Sequence, residues 1–341
     1  MSLKNLNVNR IPKLLKEKLK NNKIRQTYKK FKKNYNINEN FIVAVSGGPD
    51  SMSLAFFAKI YSIEKKIKSK FYIIDHRLRK ESNKEAKIVQ KLLKKFLISS
   101  EIMVWKGKKP LKNIQSLARN KRYELLSTKC KELKIKNLLV GHHQDDLIEN
   151  YFIRLLRGSG LKGLVSLETY AKLDNINLIR PLLNVEKKDL CYISKFVFNS
   201  YVDDPSNNNE NYQRIRVRNL IKRLEGEGLN KKKLIKTINN LKSSSNSIKH
   251  YVINNFTNNS FHFLEKNKLI LSENFFQQSY EVVFRSLSDA IKIIGNRYYS
   301  ARGKKLQKII KCIKNNGSLK MTLGGCIIEK AHQTVIITKE H

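Results

Sequence analysis

The sequence predicts an α/β fold: a doubly wound parallel sheet, followed by a helical linker region and a small mixed α/β C-terminal domain. Two observations carry this. Short apolar runs near residues 41, 71, 101 and 137 alternate with segments of helical period, and the polar residues Ser46, Asp75 and His142 fall just after three of those runs. Strands alternating with helices pair in parallel through crossovers, and ligands bind such sheets beyond the carboxyl ends of the strands.

The elements follow in order. Residues 1–37 are basic and acid-poor, and their lysine-rich rather than arginine-rich character suits a helical N-terminal extension better than a transit peptide. Phe41-Ile42-Val43-Ala44-Val45 is the first strand, and Leu54, Phe57, Ala58 and Tyr61 mark one face of the helix after it. Phe71-Tyr72-Ile73-Ile74 is a second strand that stops at Asp75-His76. Residues 82–97 carry a helical stripe, residues 101–105 a third strand, residues 113–133 a further helix, and Asn137-Leu138-Leu139-Val140 a fourth strand. Beyond Leu224 the composition turns to Lys, Asn and Ser, yet Leu234, Ile235, Ile238 and Leu241 keep helical spacing. The tail reads as a hairpin, helices at 275–294 and 303–315, and short strands around 318–338 with a turn at Gly324-Gly325. The expected domains are a basic extension at 1–37, a catalytic domain at 38–225, and a helical and α/β region at 226–341.

The chain has 341 residues, with 69 Lys and Arg against 28 Asp and Glu, a formal net charge of +41. Such an excess attracts a polyanion, and nucleic acid is the leading candidate, although a lysine- and asparagine-rich composition also follows from biased codon usage. Cys130, Cys191, Cys312 and Cys326 are far apart and form no CxxC pair, which argues against zinc ribbons and disulfide frameworks. No apolar run approaches the roughly 20 residues that span a bilayer, so a soluble, cytoplasmic protein is expected.

The chemistry concentrates at SGGPDS, residues 46–51. Gly47 and Gly48 let backbone N–H groups approach an anion, the helix after Pro49 presents its positive end, and Ser46 and Ser51 add hydroxyls. Asp50 is placed to carry a metal that bridges phosphates. The loop is neither a Walker A sequence nor a GxGxxG fingerprint, and a nucleotide cleaved to pyrophosphate is its natural guest. GHHQDDLIEN, residues 141–150, puts Asp146 and Glu149 three apart on one helix face. One of these carboxylates with Asp50 suits Mg²⁺; zinc is disfavoured by the adjacent histidines, and a capped acidic helix start is the bland alternative. Arg119 and Arg122 lie three apart on a helix and suit bidentate phosphate contact, as does an ordinary solvated face. Asp75-His76-Arg77-Leu78-Arg79, Arg157-Gly158-Ser159-Gly160, the turn-rich segment Tyr201-Val202-Asp203-Asp204-Pro205-Ser206-Asn207 with Arg214, Arg216 and Arg218 behind it, and the basic helix start Arg302-Gly303-Lys304-Lys305 complete the set. The arginine run and the basic helix both suit RNA phosphates.

SGGPDS, DHRLR, ARNKRY, GHHQDDLIEN, RGSG, RPLL and DPSN occur in the order seen in the bacterial tRNA(Ile)-lysidine synthases, and RGKKLQKII and LGG extend the likeness into the tail. The chain resembles that family strongly over residues 38–225 and more weakly beyond. SGGxDS alone marks only the broader superfamily of PP-loop ATP pyrophosphatases. The resemblance implies that ATP adenylates O2 of the wobble cytidine of a CAU-anticodon tRNA(Ile), and that the ε-amine of free L-lysine then displaces AMP. It implies phosphate binding by Ser46, Gly47, Gly48, Pro49, Asp50 and Ser51, metal binding by Asp50 and Asp146, catalytic support from Arg119 and His142, and an orienting or proton-accepting role for Glu149. It leaves the oligomeric state open, a homodimer included. Asn150, where the family usually has threonine, and Arg77, where glycine is common, depart from the pattern. The rivals are a tRNA thiolase, which needs a reactive or cluster-binding cysteine, a small-molecule amidotransferase, which gives no reason for the charge, and a noncatalytic RNA-binding protein, which leaves SGGPDS without a purpose.

Overall fold

The structure, a computed structural model, describes residues 11–79, 81–105, 107, 114–202, 210–263, 267–297, 303–315 and 317–340. Residues 203–207 of the turn-rich segment 201–207 and the helix-start residue Arg302 lie outside them. By its internal contacts the chain divides into two compact units, residues 1–235 and 236–341.

The first unit opens with α1 (Lys13–Leu19) and α2 (Asn22–Asn34). Asn21 caps α2 by accepting from the Ile24 N–H at 3.2 Å. The basic residues of these helices face water, while Leu15, Ile24, Tyr28 and Phe31 are buried in the same apolar cluster as the first strand. Phe31 packs its ring against Phe57 and Tyr61, so this basic segment contributes core as well as charge.

β1 (Phe41–Val45), α3 (Pro49–Glu64), β2 (Ser69–Asp75), α4 (Ser82–Lys95), β3 (Ser100–Val104), α5 (Ile114–Glu132) and β4 (Asn137–Leu139) then alternate as the apolar runs predict. After them come α6 (Gln144–Leu155), α7 (Leu161–Leu164), β5 (Tyr170–Leu173), β6 (Ile176–Ile179), α8 (Lys187–Phe198) and α9 (Gln213–Gly226). The sheet order is β3-β2-β1-β4-β6-β5, with every neighbouring pair parallel except β5 and β6. Side chains alternate across it. Phe41, Val43 and Val45 join the cluster containing α3, α4 and α8, and Ile42 joins the opposite cluster with Leu126 and Cys130 of α5. Apolar residues on both faces are what a sheet covered on both sides requires.

Two features differ from the sequence expectation. α3 has no single apolar stripe, because Ser51 to Ala58 are all buried between the sheet, α2 and α8. The β5–β6 hairpin was not anticipated. Leu173 pairs with Ile176 across the two-residue turn Asp174-Asn175, and Asp174 sits at φ +50°, a conformation that aspartate and asparagine tolerate.

α10 (Lys231–Asn259) is the polar helix expected near 230–250, continued through residue 259. The second unit contains β7 (Ser260–Phe263), β8 (Lys268–Leu271), α11 (Glu273–Phe276), α12 (Tyr280–Ile294), α13 (Gly303–Lys314), β9 (Lys320–Leu323), β10 (Cys326–Ala331) and β11 (Thr334–Lys339). The single helix expected at 275–294 is two, α11 and α12. The antiparallel sheet runs β7-β8-β11-β10-β9, and α12 and α13 bury Leu287, Ile291, Leu306 and Ile310 against it. Gly324 and Gly325, at φ +67° and +78°, turn β9 into β10 as the sequence predicts.

Candidate active site

The strand ends of β1, β2 and β4 open into a cavity of about 430 Å³ lined by Ser46, Asp50, Ser51, Asp75, Arg119 and His142, with Arg122, Asp146 and Arg214 also on its wall. This volume lies within the range of small-ligand sites. The loop between β1 and α3 is shaped for an anion. Gly47 lies at φ +87°, and a Cβ there would meet Val89 Cγ2 at 2.5 Å, so only glycine fits. A Cβ on Gly48 would meet nothing closer than Ser46 Oγ at 4.0 Å, which leaves its backbone open to a close-approaching phosphate. Ser51 Oγ donates to Gly48 O at 3.0 Å and accepts from the Ser46 N–H at 3.1 Å, bracing the turn. Val202 N–H donates to Gly47 O at 3.0 Å, which ties the segment after α8 to the loop. Gly141 lets β4 approach: a Cβ there would lie 3.1 Å from Ser51 N.

β2 ends on Asp75, which is buried, with Oδ1 accepting from Arg77 N–H at 2.9 Å and Oδ2 without a partner. Arg77 has φ +50°, the left-handed region, and the Asp75 side-chain bond offsets part of the strain. Arg122 approaches His76 Nε2 at 3.4 Å, and burial followed by the Arg122 charge lowers the His76 pKa to about 4.

α6 starts at the cavity. Asp146 Oδ2 accepts from the His143 N–H at 2.9 Å, and Asp146 Oδ1 accepts from Arg214 Nη2 at 2.6 Å. Glu149, one turn on and buried, is clasped by Nε of both Arg214 and Arg218. His143 stands between Asp50, at 3.4 Å, and Asp146, at 3.5 Å. Burial would lower its pKa, but the Asp50 hydrogen bond and the charges of Asp146, Asp50 and Asp145 outweigh burial and raise it. Burial would raise Asp146, yet His143 and Arg214 hold it below the ordinary carboxylate value. His142 goes the other way: burial, then Arg180, Arg119 and Arg214 against the pull of Asp146, leaves its pKa at about 3, so the ring is neutral at physiological pH.

The sequence-predicted residues Ser46, Asp50, Ser51, Arg119, His142 and Asp146 thus line one cavity, and Gly47, Gly48 and Pro49 form the turn and helix start between Ser46 and Asp50. Glu149, joined to Asp146 through Arg214, lines a second, larger cavity of about 1120 Å³ that also holds Asp145, Glu186, Arg218, Lys222 and Lys231. Arg214 and Arg218, expected to face RNA phosphates, point inward to the α6 carboxylates, because two buried anions one turn apart need cations. Arg216 instead donates to the Glu210 and Asn211 carbonyls. The i, i+4 spacing of Arg214 and Arg218 was the available signal, since it matches the one-turn spacing of Asp146 and Glu149. In the RPLL motif, Arg180 donates to the Glu168 carbonyl at 2.7 Å beside the hairpin.

Of the two carboxylates expected to hold magnesium, Asp146 has both oxygens engaged, by the His143 N–H and Arg214, and Asp50 keeps one open. Asp50 Oδ1 is buried without a hydrogen-bond partner. Among the described residues no group of three or more His, Cys, Asp or Glu side chains is arranged to hold a metal by itself; magnesium usually keeps phosphate and water among its ligands.

A family model for the PP-loop domain matches residues 19–224. The tRNA(Ile)-lysidine synthase of Orientia tsutsugamushi (strain Boryong) is 35% identical over 314 residues, 89% of this chain and 70% of that protein. The enzymes of the same name from Wolbachia pipientis wMel and Rickettsia akari (strain Hartford) are 32% and 31% identical, covering 71% and 74% of their lengths. Among solved structures, a U34-tRNA thiolase from Methanococcus maripaludis, with its 4Fe–4S cluster, superposes with a TM-score of 0.55 at 20% identity, over 64% of this chain and 79% of that one. At that identity the likeness is one of fold.

Proposed function

Because the chain belongs to the PP-loop family and, within it, to the tRNA(Ile)-lysidine synthases, we infer that it joins free L-lysine to C2 of the wobble cytidine of CAU-anticodon tRNA(Ile) at the expense of ATP. The observation that carries the site assignment is the single cavity in which the 46–51 loop meets Arg119, Arg122, His142 and Asp146.

The chemistry runs in two displacements. The cytidine O2 attacks the α-phosphorus of ATP, the bond to the β-phosphate oxygen breaks, and pyrophosphate leaves. The lysine ε-amine then attacks C2, the C2–O bond breaks, AMP leaves and the amine loses a proton. The open backbone at Gly48, the N-terminus of α3 and the hydroxyls of Ser46 and Ser51 bind the leaving pyrophosphate. Arg119 and Arg122 offset charge as it accumulates on the transferred group. A magnesium ion held by Asp50 and Asp146 would add Lewis-acid neutralisation of the phosphate oxygens. His142, neutral and with a buried Nδ1 lacking a partner, supplies a hydrogen bond to the base or the phosphate without adding charge. Glu149, with its carboxylate engaged by two guanidinium groups, acts as a positioning residue that fixes Arg214 and Arg218. The larger cavity beyond α6, with acids and bases interspersed, suits the ammonium and carboxylate groups of free lysine.

Residues 38–225 would be catalytic and 226–341 would hold the tRNA through basic surfaces such as Lys304, Lys305 and Lys308 of α13. No helix among the described residues is long and apolar enough to cross a membrane; we place the enzyme in the cytoplasm with its RNA substrate. The test is incorporation of labelled lysine into transcribed tRNA(Ile) with a CAU anticodon, alongside a methionine tRNA and an Asp50→Asn variant. Label entering only the isoleucine tRNA, and falling by on the order of a hundredfold or more in Asp50→Asn, is expected. Turnover of ATP without lysine incorporation would overturn the reading in favour of another RNA-modifying chemistry.

A further inference from the structure

α6 presents Asp146 to the active-site cavity from its first turn and two unburied leucines from its last. Leu155 is 47% exposed and Leu156 61%. The chain then reverses. Gly158, at φ +65°, donates to Leu155 O at 2.9 Å, and Ser159 N–H donates to Arg154 O at 3.0 Å, so the helix end accounts for glycine at 158. It does not account for Gly160, whose φ of −68° suits any residue and whose Cβ would meet nothing within 4 Å. A glycine the fold does not require leaves bare backbone at the surface. Arg157 Nη2 donates to Gln213 Oε1 at 2.7 Å, which pins the loop to α9 immediately before Arg214. Residues 154–165 contain Arg154, Arg157 and Lys162 and no acid.

Apolar side chains, bare backbone and the guanidinium groups of Arg154 and Arg157 match one kind of surface, single-stranded RNA, whose unstacked bases offer apolar faces beside phosphates. At the rise of an α-helix, Leu155 lies about 14 Å along α6 from Asp146, a few nucleotides of strand. We propose that the loop at residues 154–160 seats the unpaired nucleotides flanking the base that enters the active site, with Leu155 and Leu156 against base faces, Arg154 and Arg157 toward phosphates, and the strand passing close over Gly160. The proposal rests on the RNA-modifying reading above, and adds to it a specificity element outside the cavity.

The experiment compares wild type, Leu155→Ser/Leu156→Ser and Gly160→Thr for binding of a CAU anticodon stem-loop RNA without lysine, for ATP affinity, and for thermal midpoint. Gly160→Thr keeps a good helix cap and adds bulk where no protein atom lies. Both variants should weaken RNA binding on the order of tenfold while ATP affinity stays within about twofold and the midpoint is unchanged. RNA affinity retained in both variants overturns the proposal. So does a change in the sedimentation of the free protein without a change in RNA binding, which would make the patch a surface for a second copy. Binding is read without turnover, so wild type that binds the stem-loop but incorporates no lysine sinks the catalytic reading and leaves the loop assignment to be decided by the variants.

Discussion

Single residues in this site act through what their surroundings forbid. Gly47 can carry no side chain, because its φ of +87° and the contact with Val89 both exclude a Cβ. Gly47→Ala should therefore cost on the order of 2 kcal/mol in denaturant unfolding and abolish ATP binding, since the amides of the loop would turn away from the phosphates. Protonation is restricted in the same way. His76 and His142 titrate at about 4 and about 3 in the fold against 6.5 in the unfolded chain. Above 6.5 both states are neutral and their contribution to stability is complete; as the pH falls below 6.5 the unfolded chain binds protons that the fold refuses, and stability declines until the folded values are reached. His143, raised in the fold, contributes in the opposite sense, present below 6.5 and lost as pH rises through its folded value. Urea unfolding between pH 4.5 and 6.5, a range set by these linkage arguments, should show His142→Asn shallower by about one proton than wild type.

At the scale of elements, α6 and α9 form a clasp: two carboxylates one turn apart on one helix, two arginines one turn apart on the other. Removing a clasp member strands a buried charge, and Arg218→Ala should lower stability by on the order of 1–3 kcal/mol. Glu149→Gln should reduce the turnover rate more than it changes KM for lysine, because it loosens Arg214 at the active site; a full rate in that variant would remove Glu149 from the mechanism. The clasp also marks the boundary of what sequence patterns disclose. β1 to β4 and the helices between them were legible because their apolar periods are set locally, by which face of each element is covered. The loop at 46–51 was legible because its glycines and serines have a local job. The inward direction of Arg214 and Arg218 was not, since a run of arginines reads as a basic surface until a distant helix supplies the anions. The β5–β6 hairpin escaped for a different reason: its strands are only four residues long, and the turn signal Asp174-Asn175 is weaker than a glycine-containing one.

For the whole molecule, charge dominates. A net +41 over 341 residues means that association with RNA releases many counterions. The affinity for full-length tRNA should drop by at least about tenfold between 50 and 200 mM monovalent salt, while the affinity for ATP, bound by a few enclosed contacts, should change far less; equal salt slopes for the two ligands would show that the basic surface is not where RNA binds. Composition disclosed this partner class at once. It could not separate the lysines that meet RNA from those that meet carboxylates, such as Lys231 beside Asp145 and Glu225.

The hydrogen bond from Val202 to Gly47 has a consequence for how the protein is made. The phosphate loop leaves the ribosome early, but the strut that braces it is translated only after the whole sheet and α8 have followed. A nascent chain therefore holds its nucleotide loop by the Ser51 hydroxyl alone, without the Val202 strut, through most of the domain's synthesis, at a few to some twenty residues per second.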